Sequence, residues 1–440
     1  MNNITNSPAQ PMHIGEKIRQ IRVSKGLSQE NVANAVGRSI AAISRFESGE
    51  VAHNELVLAN IKKYMDIENV PLFDHELEVY RNQLWALDDL ICSQRWTEAN
   101  ALLDKLAVIL DLPFEGELFV MYKLIISRIL LADDKFSEAE ENLIAAESFI
   151  NNTITNHDVL YLYYRLKGLR YIYSVDYENS RANYLKALEH GNNRVDCDIL
   201  YRIGAVSMML GESINAIEYF ERAKHNKRNW CYEIELSIEI DLAYCYYMIF
   251  QFKKAKELYE SALAKARAYN NVSANGSLLS DLSAFYFQIG SYAECNRYVD
   301  EALIALESAS NSDLQKNTRY ITTLIIKAKC LVELKDYNTC EGLLKQAETL
   351  AEGNERFITE IDATRHLMAL INDNKHPVEY LVDVAIPYYR SKVPDGPMYA
   401  LYLCEILERH YRKKGSKRKA DDIAVIGRDI YRDIIHGWRE

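Results

Sequence analysis

The side chains best suited to catalysis are scattered along this 440-residue chain rather than grouped. Eight cysteines stand singly, at 92, 197, 231, 245, 295, 330, 340 and 404, with no C-x-x-C pair among them. The spacing that zinc sites and redox dithiols need is therefore missing. Ten histidines are equally dispersed, with no H-E-x-x-H. The phosphate-binding patterns G-x-x-x-x-G-K-[ST] and G-x-G-x-x-G and the nucleophile elbow G-x-S-x-G are absent too. Nothing here argues for an enzyme, a cofactor or a metal site. The cysteines read as reduced thiols serving as small apolar residues in a cytoplasmic protein.

The chemistry that remains is charge. Residues 1–67 hold eight Lys/Arg against six Asp/Glu, a balance of +2, and the remainder holds 44 against 57, a balance of −13. A basic head on an acidic body allows nucleic-acid contact at one end, because the body repels a polyanion. The elements that carry these charges are helical. Gly (17) and Pro (8) are too scarce for the many turns of an all-β fold. No apolar run reaches the roughly 18 residues of a membrane span. Residues 1–13 lack a basic stretch leading into an apolar one, so they read as a disordered tail rather than a signal peptide.

From residue 14 the punctuation is dense. IGEKIRQIRVSK (14–25) has helical apolar spacing and ends at Gly26; Ser28 opens SQENVANAV with Asn31 three residues later; Gly37 stops it; Ser39 opens IAAISRFES, which Gly49 stops. A fourth helix is expected over 54–64. Two short helices across a glycine turn in a compact bundle describe a helix-turn-helix. The string G-L-S-Q-E-x-V-A-x-x-V-G-x-S-x-x-x-I-S-R-F-E-S-G, from Gly26 to Gly49, closely resembles the phage-repressor (XRE/Cro) helix-turn-helix family. The resemblance implies a DNA-binding domain over 14–68. In it Gln29 would bond a phosphate and the N-terminal half of the third helix would enter the major groove. The base-facing residues would be Ile40, Ala41, Ser44 and Arg45, beside Ser39, the cap of that helix. Arg45 can grip guanine bidentately, while Ile40 and Ala41 can meet only thymine methyls. Arg38 suits a phosphate.

After a linker helix over 69–80, the body (81–440) repeats one phrase: a turn, an aromatic, a small residue, a large apolar residue four later and Ala seven later. DKFSEAEENLIAA (134–146), GESINAIEYFERA (211–223) and FQFKKAKELYESA (250–262) are examples. The small residue falls at Ala99, Ala139, Ser180, Ala216, Ala255, Cys295, Cys340, Val378 and Ala420, at intervals of 36 to 45. A second small residue stands twelve earlier at Ser127, Gly168, Gly204, Ala243, Ser283 and Ala328. Helices that pack face to face need small residues where their axes come closest. The pattern resembles the tetratricopeptide repeat (TPR), a helix pair of about 34 residues. The expected fold is all-α: the helix-turn-helix, then a right-handed TPR α-solenoid of about nine helical hairpins that also serves oligomerisation.

In TPR arrays the first helix of each pair lines the concave groove. Counting back from the small residue places Arg128, Arg165, Tyr201, Arg202, Asp241, Tyr244, Tyr247, Ser277, Asp281, Phe287 and Lys329 there. Arginines would take a carboxylate, polar side chains a peptide backbone, and aromatics apolar side chains. Such a head joined to such an array resembles the RRNPP quorum-sensing regulators, most like the NprR branch. That resemblance implies a cytoplasmic transcription regulator with three partners: double-stranded operator DNA, a short secreted and re-imported peptide in the groove, and a second copy of itself in a dimer or tetramer. No membrane partner is expected. The likeness to Rap proteins in the repeat region admits a response regulator as a further partner, and the alternative reading is an interaction scaffold with a vestigial head. In the family groove asparagines clamp the peptide backbone; Asp241 and Asp281 stand where they are expected, keeping the acceptor and losing the donor.

Overall fold

In the computed structural model every described element is a helix. The described residues are 14–436, apart from 52–54, 68–73, 111–115, 154–155, 192–194, 227–230, 270–271, 309–312, 373–377 and 393–395. The expected disordered tail lies outside them.

The head comprises α1 (Ile14–Ser24), α2 (Gln29–Val36), α3 (Ile40–Glu47) and α4 (Glu55–Tyr64). The expected caps are made. The Ser28 side chain accepts from the Asn31 N–H at 3.0 Å while Asn31 Oδ1 accepts from the Ser28 N–H at 2.8 Å. The Ser39 hydroxyl accepts from the Ala42 N–H at 3.2 Å. Gly37 turns the chain at φ 65°, a conformation that a side chain would disfavour. Ile18, Val32, Ala33, Ile43, Phe46, Ile61 and Met65 form the core. Gly15 lets α1 touch the end of α3, since a Cβ there would fall 1.8 Å from the Phe46 carbonyl oxygen.

Nine hairpins follow among the described residues: α5 (Asp74–Cys92) with α6 (Trp96–Leu110); α7 (Gly116–Ala132) with α8 (Phe136–Thr153); α9 (His157–Tyr173) with α10 (Tyr177–His190); α11 (Cys197–Met209) with α12 (Ser213–His225); α13 (Tyr232–Met248) with α14 (Phe252–Ala268); α15 (Val272–Gln288) with α16 (Tyr292–Ser308); α17 (Asp313–Glu333) with α18 (Tyr337–Ala351); α19 (Glu355–Ile371) with α20 (Ile386–Lys392); and α21 (Gly396–Lys413) with α22 (Lys417–His436). The expected linker has no separate existence in its described part, because α5 runs unbroken through residue 80. The chain divides into two compact units, Met1–Leu166 and Lys167–Glu440, the division falling within α9.

The small residues do what their spacing implies. Ala99, Ser180, Ala216, Ala255, Cys295, Cys340 and Ala420 are fully buried. Ser180 Oγ donates to the Gly168 carbonyl at 2.8 Å and Cys340 Sγ to the Ala328 carbonyl at 3.4 Å, joining the two small positions of one hairpin. The residue four later fills the crossing. A Cβ on Gly168 would meet the Tyr184 ring at 2.7 Å, and one on Gly204 the Phe220 ring at 2.7 Å. Five residues before eight of the small positions the backbone is left-handed, at Gln94, Asp134, Val175, Gly211, Phe250, Gly290, Lys335 and Gly415. The Val378 copy departs from the rest: Val378 is only half-buried, and α20 is entered through a π-helical turn, Leu381–Ala385. Pro387 explains it. Its ring would collide with the carbonyl four residues back, and widening the turn relieves the clash.

Candidate DNA-reading face and first-helix residues of the array

α3 separates its two faces. Ile43, Phe46 and Glu47 are buried, whereas Ile40, Ala41, Ser44 and Arg45 are exposed together with Arg38 and Ser39. Arg45 lies along its own helix, Nε donating to the Ala41 carbonyl at 3.4 Å. Behind this face sits a buried ion pair. Arg22 Nε and Nη2 donate to Glu47 Oε1 and Oε2 at 2.7 and 2.9 Å, and Arg22 Nη1 donates to the Leu27 carbonyl at 2.7 Å. Hydrogen bonding to Glu47 holds the guanidinium charged against the cost of burial. Gln29, expected on a phosphate, is half-buried and donates Nε2 to Glu47 Oε2 at 2.8 Å. One amide hydrogen is thus already engaged, and the pair fixes the start of α2 relative to α3.

In the array the two expected carboxylate anchors are buried and already hold a carboxylate. Arg128 (9% exposed) and Arg165 (4%) both donate to Oδ1 of Asp88 (2%), Arg128 at 3.0 Å. Cys92 lies 3.0 Å from Arg128 Nη1, and the Tyr161 hydroxyl lies 3.3 Å from Arg165 Nη1. Asp88 was missed by the register count although it occupies the same position as Arg128, eleven residues before the small residue of its own hairpin. Extending the count into α5 finds it.

Three more expected groove residues belong to the interior. Tyr247 and Phe287 are core residues, with ring centroids 6.0 Å from Phe285 and 5.2 Å from Tyr402 respectively. Tyr247 meets the next hairpin and Phe287 meets α21 of the ninth, so packing covers both rings. Lys329 is buried, its Nζ 3.9 Å from the Tyr399 ring centroid, 5.0 Å from that of Tyr389 and 3.6 Å from Glu360 Oε2. An ammonium boxed by two aromatic faces and a carboxylate holds helices together.

The others remain half-buried on first helices: Tyr201, Arg202, Asp241, Tyr244, Ser277 and Asp281. Arg202 Nε donates to Asp198 at 3.0 and 3.1 Å. Burial opposes its charge, and Asp198 outweighs burial. Hydrogen bonding from Tyr201 pulls the Asp241 carboxyl down, and the charge of Asp281 pushes it up. Burial above all raises the Asp241 carboxyl to about 7. Arg319 Nη1 donates to Asp281 Oδ1 at 2.6 Å. Arg319 escaped the count because it stands 21 residues before Cys340, about one turn further back than the farthest position counted, that of Ser277, 18 residues before Cys295.

Residues 13–63 match the family model of a helix-turn-helix domain. No curated protein matches the chain. Among solved structures, the apo form of the quorum sensor NprR from B. thuringiensis is similar, at 18% identity with a TM-score of 0.60 over 80% of this chain and 99% of that one. The array has the fold of NprR and Rap. A Rap protein complexed with competence and sporulation factor aligns at 16% identity and a TM-score of 0.62, over 82% of this chain and 99% of that one. NprR in complex with its cognate peptide NprX aligns at 17% identity and 0.57, over 81% and 98%. The resemblance to the RRNPP regulators therefore holds at the level of fold: a helix-turn-helix head and an array of helical hairpins. Among the described residues no helix is long and apolar enough to cross a membrane.

Proposed function

We propose that the chain is a transcriptional regulator that reads operator DNA with α3 and is switched by a short signalling peptide bound on the first-helix face of its array. The observation that carries the first half is the exposed row Ile40, Ala41, Ser44 and Arg45 on a helix whose opposite face is locked into a complete core. A vestigial head has no reason to keep both. The second half is supported by the shared fold with NprR, whose structure with its cognate peptide NprX is known. The half-buried residues Tyr201, Arg202, Asp241, Tyr244, Ser277 and Asp281 are the proposed peptide contacts. Arg128, Arg165, Tyr247, Phe287 and Lys329 act through packing.

The test is selection of bound sequences from a random duplex pool by the full chain and by Arg45→Ala. The wild type is expected to enrich one motif containing guanine. Arg45→Ala is expected to lose that position, since one bidentate base contact contributes about 1–3 kcal/mol. No enriched motif would leave the scaffold reading in its place. Peptide binding is checked by calorimetry with synthetic peptides encoded in short reading frames beside the gene.

A further inference from the structure

The acidic body reverses its charge at the tip of the ninth hairpin. Residues 409–419 hold seven Lys/Arg and no Asp/Glu. Three of the seven are engaged. Arg409 pairs with Glu405 at 2.6 Å and Arg412 with Glu408 at 2.7 Å, both within α21. Lys419 lies with its Nζ 5.5 Å from the Tyr411 ring centroid. The other four, Lys413, Lys414, Lys417 and Arg418, are exposed and make no ion pair among the described residues.

The backbone fixes where these four charges stand. Gly415 turns at φ 73°, its N–H donating to the Arg412 carbonyl at 3.0 Å and the Ser416 N–H to the Tyr411 carbonyl at 2.9 Å. Lys413 and Lys414 precede the turn, and Lys417 and Arg418 follow it. Beneath, Leu407 and Ala420 are fully buried, so packed helices carry the tip. Without a partner the arrangement is unfavourable. Four like charges crowd into six residues. α22 also opens with cations and no acid in its first turn, against the helix dipole. A bound anion relieves both.

We propose that this tip is a second, sequence-independent contact for duplex DNA, with Lys413, Lys414, Lys417 and Arg418 on backbone phosphates. Lysine is a point charge that holds a phosphate without reading a base. No large apolar side chain is exposed between residues 408 and 419. A protein interface is built on an apolar centre and is poor in lysine. A stable membrane anchor needs an apolar chain or face beside its charges. Phosphates need neither. The choice of DNA among polyanions rests on the DNA-reading proposal above, whereas the phosphate contact does not. The surrounding acidic surface repels the duplex, which confines the contact to the tip.

The experiment titrates the full chain with a duplex of random sequence over a range of salt. The tip variant carries Lys413→Gln, Lys414→Gln, Lys417→Gln and Arg418→Gln together. Its slope of log K against log salt is expected to fall by about 0.9 to 3.6 for each chain bound, one to four phosphates released. A second variant carries Lys105→Gln, Lys253→Gln, Lys335→Gln and Lys345→Gln, the same loss of charge at exposed sites elsewhere on the array. It is expected to keep the wild-type slope. The motif selected by the tip variant is expected to be that of the wild type, so the two proposals fail separately: an unchanged slope sinks the tip, and a missing motif sinks base reading. An equal loss in the second variant would also overturn the contact, since net charge alone would then explain it. So would tip-dependent binding to vesicles of anionic lipid without tip-dependent binding to duplex.

Discussion

At Asp88 two guanidinium groups meet one carboxylate oxygen with almost no water. Arginines read from the sequence as anchors for a ligand carboxylate have a carboxylate supplied by the chain itself. Removing one partner of a buried ion pair strands the charge of the other, at a cost of about 3–5 kcal/mol. Asp88→Ala is therefore expected to lower stability by that order in thermal or denaturant unfolding, and Arg128→Met in the same chain to recover part of the loss. Unchanged stability in Asp88→Ala would mean that the arginines are satisfied elsewhere. The contrast with the head shows what a sequence reveals at this scale. Ser28, Asn31, Ser39 and Gly37 act on backbone within three or four residues, so spacing alone identified them. Which carboxylate lies beside Arg128 is decided 40 residues away, by how α5 packs.

The hairpins were readable because their close approach demands small residues at a fixed spacing, and the buried pairs Ser180–Gly168 and Cys340–Ala328 occupy those positions. The left-handed residue that turns each hairpin was not readable. Glycine marks it in three of the eight described turns, while Gln94, Asp134, Val175, Phe250 and Lys335 adopt it with a side chain. Val175 is the least suited, since a β-branched residue crowds its own carbonyl at φ 59°. Its side chain is 67% exposed, so little packing compensates. Left-handed geometry costs a side-chain-bearing residue about 1–2 kcal/mol, and glycine's extra chain entropy returns about 0.5–1 of that. Val175→Gly is accordingly expected to raise stability by about 0.5–1 kcal/mol, measured as a higher denaturant midpoint at unchanged slope. Phe250 has the same backbone, but its ring packs on Tyr431 at 5.0 Å and Phe252 at 6.0 Å. The same substitution there is expected to lose those contacts and give no gain.

For the molecule as a whole, charge and symmetry constrain how the proposed operator would be bound. The chain carries −11 overall with a head at +2, so general attraction to the polyanion is weak and recognition rests on few contacts. One head offers one proposed reading helix, enough for one half-site. Two half-sites lie about 34 Å apart per turn of duplex, so a dimer on an inverted repeat doubles both base and phosphate contacts. Salt dependence counts the heads. Each phosphate neutralised by a cation contributes about 0.9 to the slope of log K against log salt. Arg38 is exposed beside the reading helix and is proposed to meet one phosphate per head. Arg38→Ala is then expected to reduce the slope by about 1.8 if two heads are seated and by about 0.9 if one is. Affinity across all sequences should fall with it and the selected motif should stay the same. A reduction near 0.9, together with a monomer mass in light scattering with and without operator DNA, would exclude the dimer. A change of motif in Arg38→Ala would move that residue from the phosphates to the bases.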